Sequence, residues 1–348
     1  LTRLEPFIMG SLLRKRALAY CIDHINYEDV NTRYVDIGPV NKVINMLCVW
    51  LDNPTSEAFE MHKKRLADYL WVAEDGMKMN GYNGSQLWDT SFAVQALSAF
   101  GDDLLKKTNA YSVLAKAHEY LYVSQVREDC SGNLKKYHRH ISKGAWPFST
   151  RDLGWPISDC SGEALNAAVL LANMDSENVG EELSEERLSD CVNIILSYQN
   201  IKSPNDDHGW ATYENTRSWP WVELFNPSET FGDIVIDYSY VECSSSAMTS
   251  LNTFLKRFPN HPRKGDIEYA LRTGERFILE QAREDGSWYG SWGVCFTYAG
   301  WFALRALVRV AFCILLDNIL TSVYGVGLNR FGLFHSRVRE VTLSIAIH

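Results

Sequence analysis

Long apolar runs are missing from this sequence. The nearest approach, residues 302–323, is broken by Arg305, Arg309 and Asp317, so no segment reaches the ~18–20 apolar residues of a transmembrane helix. Nothing near the amino terminus reads as a signal peptide, although the chain begins at Leu1 rather than Met and is expected to be part of a longer sequence. Basic charge is also short: 34 Lys and Arg against 43 Asp and Glu leave a net charge of −9, which argues against a nucleic-acid binder working by phosphate neutralisation. The eight cysteines (Cys21, Cys48, Cys130, Cys160, Cys191, Cys243, Cys295, Cys313) form no CxxC pair and read as reduced thiols of an intracellular protein. A phosphate-cradling glycine loop and a Ser/His/Asp constellation are both lacking. The histidines, including His138 and His140, show no metal-ligand spacing, so no metal or cofactor is expected. Those two histidines and the acidic pairs Asp102–Asp103 and Asp206–Asp207 are expected in solvated loops.

What the chain has in excess is rings and helical periodicity. Hydrophobic residues make up 46% of it, and 11 Trp, 17 Tyr and 15 Phe must either plate a core or line a cavity. Strand-like alternation is scarce. Residues 186–199 and 266–281 place apolar side chains at 3–4 spacing with charge between them, as amphipathic helices with one wet face do. Residues 91–100, 164–174, 247–255 and 298–308 are apolar nearly all round and should be buried between other helices. The two kinds alternate, and their junctions repeat. Gln125, Gln199 and Gln281 each close a wet helix and are followed by Gly144-Ala-Trp146, Gly209-Trp210 and Gly286-Ser-Trp288; these junctions are assigned to stability. Stacked outer–inner helix pairs follow: an all-α chain folded as an α/α toroid. An early pair over about 12–25 and 40–50 brings the expected count to five.

Inner helices of like polarity bring their first residues, Asp89, Asp159, Glu242 and Cys295, to one mouth of the ring. The intervening loops carry Trp88, Trp146, Phe148, Trp155, Tyr213, Trp219, Trp221, Trp288 and Trp292 toward the same end. Asp159, in Trp155-Pro-Ile-Ser-Asp-Cys-Ser-Gly-Glu163, admits two readings. It is an N-cap or first-turn carboxylate stabilised by the helix terminus, or a Brønsted acid in the wall of an apolar cavity. Cys160 and Cys243 either hydrogen-bond that carboxyl or fill core space. The rings either pack or present π faces to a cation.

The Gln…Gly-x-Trp repeats, Ser158-Asp-Cys-Ser-Gly-Glu163, Gly84-Ser-Gln-Leu-Trp-Asp-Thr90 and Gly286-Ser-Trp-Tyr-Gly-Ser-Trp-Gly-Val-Cys-Phe-Thr-Tyr298 closely resemble the oxidosqualene cyclases, relatives of the squalene-hopene cyclases. Residues 226–237 and 73–79 look plant-like. The resemblance implies a barrel of the (α/α)6 type with QW-type repeats, here incomplete, and an enzyme that protonates the epoxide of 2,3-oxidosqualene and steers carbocations to a triterpene or sterol precursor. By motif position, Asp159 matches the proton donor and Cys160 and Cys243 the thiols beside it, while Trp88, Phe148, Tyr213 and Trp292 match side chains that line the cavity and steady cations. The acid starts the reaction, so neither metal nor cofactor is implied. The substrate is the apolar oxidosqualene and there is no nucleic-acid partner. The family also implies peripheral association with a membrane, at the endoplasmic reticulum or a lipid droplet.

Three departures qualify the resemblance. The family's Asp-Cys-Thr-Ala-Glu reads Asp159-Cys-Ser-Gly-Glu163 here, and Gly162 is expected to loosen the first turn. The family's amino-terminal half is not in the chain. After about Leu304 the likeness stops, dividing the chain into a barrel portion, 1–304, and a non-family tail, 305–348. Two alternatives stand beside cyclase activity. One is a truncated, inactive chain. The other is an inverting glycoside hydrolase on the same toroid, which would need a second carboxyl such as Glu242 or Asp89 about 6.5–9.5 Å from Asp159, and against which the apolar inner helices and the thiols argue.

Overall fold

The computed structural model describes residues 10–81, 84–202, 205–226 and 235–324. The part that positions the site is an arc of alternating helices. Four of them, α4 (Gln86–Leu97), α6 (Ser158–Leu171), α8 (Val241–Arg257) and α10 (Cys295–Tyr324), pack side by side in that order. Behind them lie α5 (Ala110–Ser124), α7 (Glu185–Tyr198) and α9 (Lys264–Glu280), each touching the inner helices beside it. Before the arc come α1 (Gly10–Asn31), α2 (Pro39–Asp52) and α3 (Glu57–Lys64), then an exposed antiparallel hairpin of β1 (Leu70–Ala73) and β2 (Gly76–Met79). The hairpin is the one sheet among the described residues. Among those residues no helix is long and apolar enough to cross a membrane.

The wet and dry pattern holds in three dimensions. Helix α9 buries Ile267, Ala270, Leu271, Gly274, Phe277 and Ile278, one stripe at 3–4 spacing, and leaves its charges other than the half-buried Glu275 in water. Helix α7 likewise buries one stripe, which here includes Arg187, and is started by Ser184, whose side chain accepts from the Arg187 N–H, and by Glu185 and Glu186 in the first turn. Helices α6 and α8 are buried along almost their whole length. Small side chains let their axes close: a Cβ at Gly162 would stand 2.8 Å from the Ser246 carbonyl oxygen. That glycine therefore does not slacken α6, which runs unbroken from Ser158, but lets two inner helices touch.

Outer and inner layers are stitched at the junctions. Trp146 and Trp210 are fully buried, and each indole N–H donates to a last-turn carbonyl of the outer helix behind it, Leu121 at 2.9 Å and Ile195 at 2.7 Å. Trp288 repeats the bond to Ile278 at 2.8 Å. Each indole removes roughly 150–250 Å² from water, about 4–6 kcal/mol of transfer free energy. The backbone N–H groups of Trp146 and Trp210 donate to Ser161 and Ser244 on the inner helices, both at 2.9 Å. Gln125 donates to Gly144 and to Arg187 of the next outer helix, at 2.9 and 3.0 Å. Gln199 donates to His208 and to Thr273 of the next outer helix, at 2.8 and 2.9 Å. Gln281 differs: it is exposed, and no outer helix beyond α9 lies among the described residues.

The expected count of five stacked pairs is corrected. Three pairs and a fourth inner helix, α4, form the arc. The early pair exists as α1 and α2, but α2 packs mainly against α1 and α3 and does not stand beside α4. Its Val40, Ile44 and Leu51 are exposed. Of the residues expected in solvated loops, His138, Asp102, Asp103 and Asp206 are exposed, while His140 and Asp207 are tied down. Arg139 and His140 both bind the buried carboxylate of Glu214, at 3.0 Å each, and hold it ionised, with a pKa lowered to about 2 against the cost of burial. Asp102 opens a short helix, and Asp207 accepts from Gly209 N–H and from Ser239 to shape the turn before Trp210.

Candidate active site

Helix α6 starts at a docked point. The Ser158 N–H donates to the Thr212 carbonyl at 2.8 Å and its hydroxyl to the Ala211 carbonyl at 2.6 Å. Asp159 is the second residue of the helix and only 8% exposed. It does not cap the helix; Ile157 holds that position without a side-chain bond. Instead its Oδ1 accepts the Cys160 N–H at 2.7 Å, and the neighbouring thiols of Cys160 and Cys243 favour the ionised form of the same carboxyl. Both thiols are buried.

A cavity of about 210 Å³ opens in front of this carboxyl. Its wall is made of Trp88, Phe148, Trp155, Tyr213, Trp292 and Tyr298, with Ile37, Leu153, Ile157 and Thr212 between the rings. The rings are braced from behind. Trp88 meets Phe92 edge-on at 4.7 Å, Trp155 meets Tyr213 edge-on at 6.1 Å, and Tyr240 lies 5.9 Å from Trp292. The Arg139 guanidinium sits 3.9 Å from the Trp155 ring centre, its charge already matched by Glu214.

Asp159 is the one carboxylate lining this cavity. Burial pushes its pKa up from 3.8 to about 6; the Cys160 N–H and the two thiols work the other way by favouring the anion, and Glu163 adds to the rise. Burial likewise raises Cys160 and Cys243, which stay neutral donors. The result is a neutral-capable acid facing an apolar space, its conjugate base held by three N–H and S–H groups.

Of the side chains expected at the mouth, Asp159, Trp88, Phe148, Trp155, Tyr213 and Trp292 reach the cavity, and Cys160 and Cys243 stand immediately behind the acid. The rest go elsewhere. Asp89 accepts from Ser85 at 2.6 Å, Glu242 accepts the Trp292 N–H at 3.2 Å, and Cys295 lies beside Tyr289. None of the three lines the cavity, because a first-turn side chain faces the hollow only at the right helix rotation. Trp146 and Trp288 are spent at the junctions, while Trp219 and Trp221 are exposed on the 3-10 turn Pro220–Phe225.

Sequence reasoning missed Tyr298, which lies in a quoted motif, and Asp237, which closes the plant-like stretch 226–237 but was given no role. Asp237 accepts the N–H groups of Thr212 and Tyr213 and is itself raised to about 6 by burial. It missed Ile37 as well. That residue is held by a buried cluster in which Asp29, Asp36 and His62 bring ligand atoms within 4.8 Å of one another. The Lys42 ammonium is seated among them, 2.6 Å from His62 Nδ1 and 3.7 Å from Asp36, and serves as the cluster's internal cation. Burial pushes Asp36 up to about 8.

An all-α arc with a single buried acid in a ring-lined hollow defines a class, and comparison with known proteins agrees. The chain belongs to the squalene-hopene cyclase family, matching its C-terminal domain over residues 84–322. It is 51% identical over 85% of its length to the cycloartenol synthase of Dictyostelium discoideum, and 50% identical over 84% to the lanosterol synthase of Homo sapiens. Over 86% of its length it is 42% identical to the alpha-onocerin synthase LCD of Lycopodium clavatum. The chain spans 40%, 39% and 38% of these relatives' own lengths.

Proposed function

We propose that this chain carries the acid-bearing part of an oxidosqualene cyclase. Asp159 delivers its proton to the epoxide oxygen of 2,3-oxidosqualene as the C–O bond breaks, and the cation left on carbon is passed along the substrate's double bonds. Trp88, Phe148, Tyr213 and Trp292 face that charge with ring electrons and exclude the water that would quench it. Cys160 and Cys243 steady the carboxylate once the proton has gone. The observation that carries this reading is the lone buried carboxyl of Asp159 in a cavity otherwise walled by rings and aliphatic side chains. A glycoside hydrolase would need a second carboxyl across a wet cleft, and no other carboxylate lines this one.

The test supplies the chain with the remaining part of a relative and follows 2,3-oxidosqualene by mass spectrometry. A cyclised product is expected, lost in Asp159→Asn. Undiminished cyclisation in that variant would remove Asp159 from the role.

A second reading concerns the 348 residues alone, and two observations favour it. A cavity of about 210 Å³ is smaller than the roughly 300–1,000 Å³ of pockets that enclose whole ligands, and it admits the reacting end of a thirty-carbon chain rather than all of it. The chain also spans 40% of its relative's length. By itself it binds without cyclising; a triterpene made by the chain alone overturns this.

The toroid with its QW-type repeats and a plant-like origin belong to the same proposal, as does peripheral membrane association in the cell, at the endoplasmic reticulum or a lipid droplet. A substrate that does not dissolve in water has to be collected from a lipid phase, and co-flotation with neutral vesicles checks the last point.

A further inference from the structure

One helical turn along α6 from Asp159 lies a heavily bonded carboxylate that does not line the cavity. Glu163 is fully buried and takes four hydrogen bonds. Gln95 of α4 donates at 2.7 Å and Ser246 of α8 at 2.8 Å. Arg305 of α10 donates through both terminal nitrogens, at 2.9 and 3.0 Å. The same guanidinium bonds Gln95 Oε1 at 2.6 Å and lies 5.0 Å from the centre of the Trp301 ring. All four inner helices therefore meet on one carboxylate; Arg305 is the cation hydrogen-bonded to it, and the charge of Arg309, one turn further along α10, acts on it without a bond. Such a fork fixes position as well as charge, because two parallel N–H donors match two carboxylate oxygens in a single plane.

We infer that Arg305 is a positioning residue for the acid: by forking onto Glu163 it locks the helix that presents Asp159 and cancels a second buried negative charge directly behind it. The inference rests on reading Asp159 as the acid, since only then does its surrounding charge matter to function. Glu163 is close enough to Asp159 for its charge to oppose a second anion and add to the rise of the Asp159 pKa. An unmatched Glu163 would deepen that opposition, keep the proton on Asp159 and make the acid weaker.

The measurement is the titration midpoint of Asp159 in the full chain, read from carboxyl carbons in ¹³C-aspartate-labelled protein and assigned by its disappearance in Asp159→Asn. Arg305→Gln should move the midpoint upward from about 6 by about one pH unit, and Glu163→Gln should move it downward. The double variant should return close to the starting value. Arg305→Lys keeps the charge without the fork, so its melting temperature should fall while the midpoint stays. Should Arg305→Gln fail to fold, Glu163→Gln and the double variant give the same comparison, since they differ only in the charge at 305. Equal midpoints in those two proteins, or in wild type and Arg305→Gln, would reduce Arg305 to a packing role and overturn the inference. No substrate is present, so this result stands apart from the cyclisation assay. An Asp159→Asn enzyme that still cyclises would refute the proposed function and leave the Arg305 result untouched.

Discussion

The carboxylate of Asp237 accepts the backbone N–H of Tyr213 at 2.9 Å and that of Thr212 at 3.3 Å, and so fixes a stretch of chain whose side chains stand in the cavity wall. The bonds are charge-assisted and shielded from water, which makes them stronger than neutral ones. Asp237→Ala leaves two backbone donors without their acceptor. It should cost about 2–3 kcal/mol of stability, measured by urea unfolding, and should shift the resonances of Tyr213 while leaving those of the far junctions, such as Trp288, in place.

The junction glutamines make a contrasting pair. Gln199 bridges its own turn to Thr273 of the next outer helix, and Gln281 has no such helix among the described residues. Gln199→Ala should therefore destabilise by about 1–3 kcal/mol, because it strips buried carbonyls of a donor. Gln281→Ala should stay within about 0.5 kcal/mol of wild type, as surface substitutions do. Thermal melts of the two variants side by side check this; equal losses would show that the side chains are held alike.

The raised pKa of Asp159 makes a statement about stability with a definite sign. Folding lifts it from 3.8 to about 6, so between those values the folded chain binds more protons than the unfolded one. Stability is then fullest below about pH 4 and declines as pH rises through 6, to a cost of roughly 3 kcal/mol above that. Asp159→Asn removes the titration, though it also gives up the bonds that the anion accepts. At pH 7.5 the variant should be about 1–2 kcal/mol more stable than wild type, and at pH 4.5 the gain should vanish. Chemical denaturation at the two pH values reads the difference directly. A gain independent of pH would mean that the carboxyl is not buried as described.

Much of this was legible in the residues, and what was not has physical reasons. The 3–4 spacing of α7 and α9, the dry runs of α6 and α8, and the Gln…Gly-x-Trp junctions all report periodicity and burial, which sequence carries locally. Asp159 with its two cysteines was legible because they sit in short motifs at helix starts. By contrast, the fork of Arg305 on Glu163 joins residues far apart in the chain; Glu163 closes a quoted motif, but nothing local names Arg305 as its partner. Gly162 misled for a related reason. Helix propensity is a property of one segment, whereas the 2.8 Å approach to Ser246 belongs to two. The placement of Asp89, Glu242 and Cys295 away from the cavity depends on helix rotation, which a list of first residues does not contain.

Cys243 offers the sharpest separation of chemistry from packing. Its thiol favours the Asp159 anion and lowers that pKa against the pull of burial, while Cys191, equally buried on α7, bonds the Ser161 carbonyl at 3.6 Å. Both cysteines fill comparable core space, so Cys243→Ala and Cys191→Ala should each cost about 1–2 kcal/mol. Only the first removes a donor from the anion. In Cys243→Ala the Asp159 midpoint should rise above about 6, and the weaker acid should open the epoxide several-fold more slowly in the complemented cyclase. Cys191→Ala should leave midpoint and rate unchanged at matched stability. Cys243→Ser, which keeps a donor in the same place, should recover most of the midpoint. If the alanine variants titrate alike, the thiol at 243 acts by filling space and the acid owes its strength to Cys160, through its amide and its thiol.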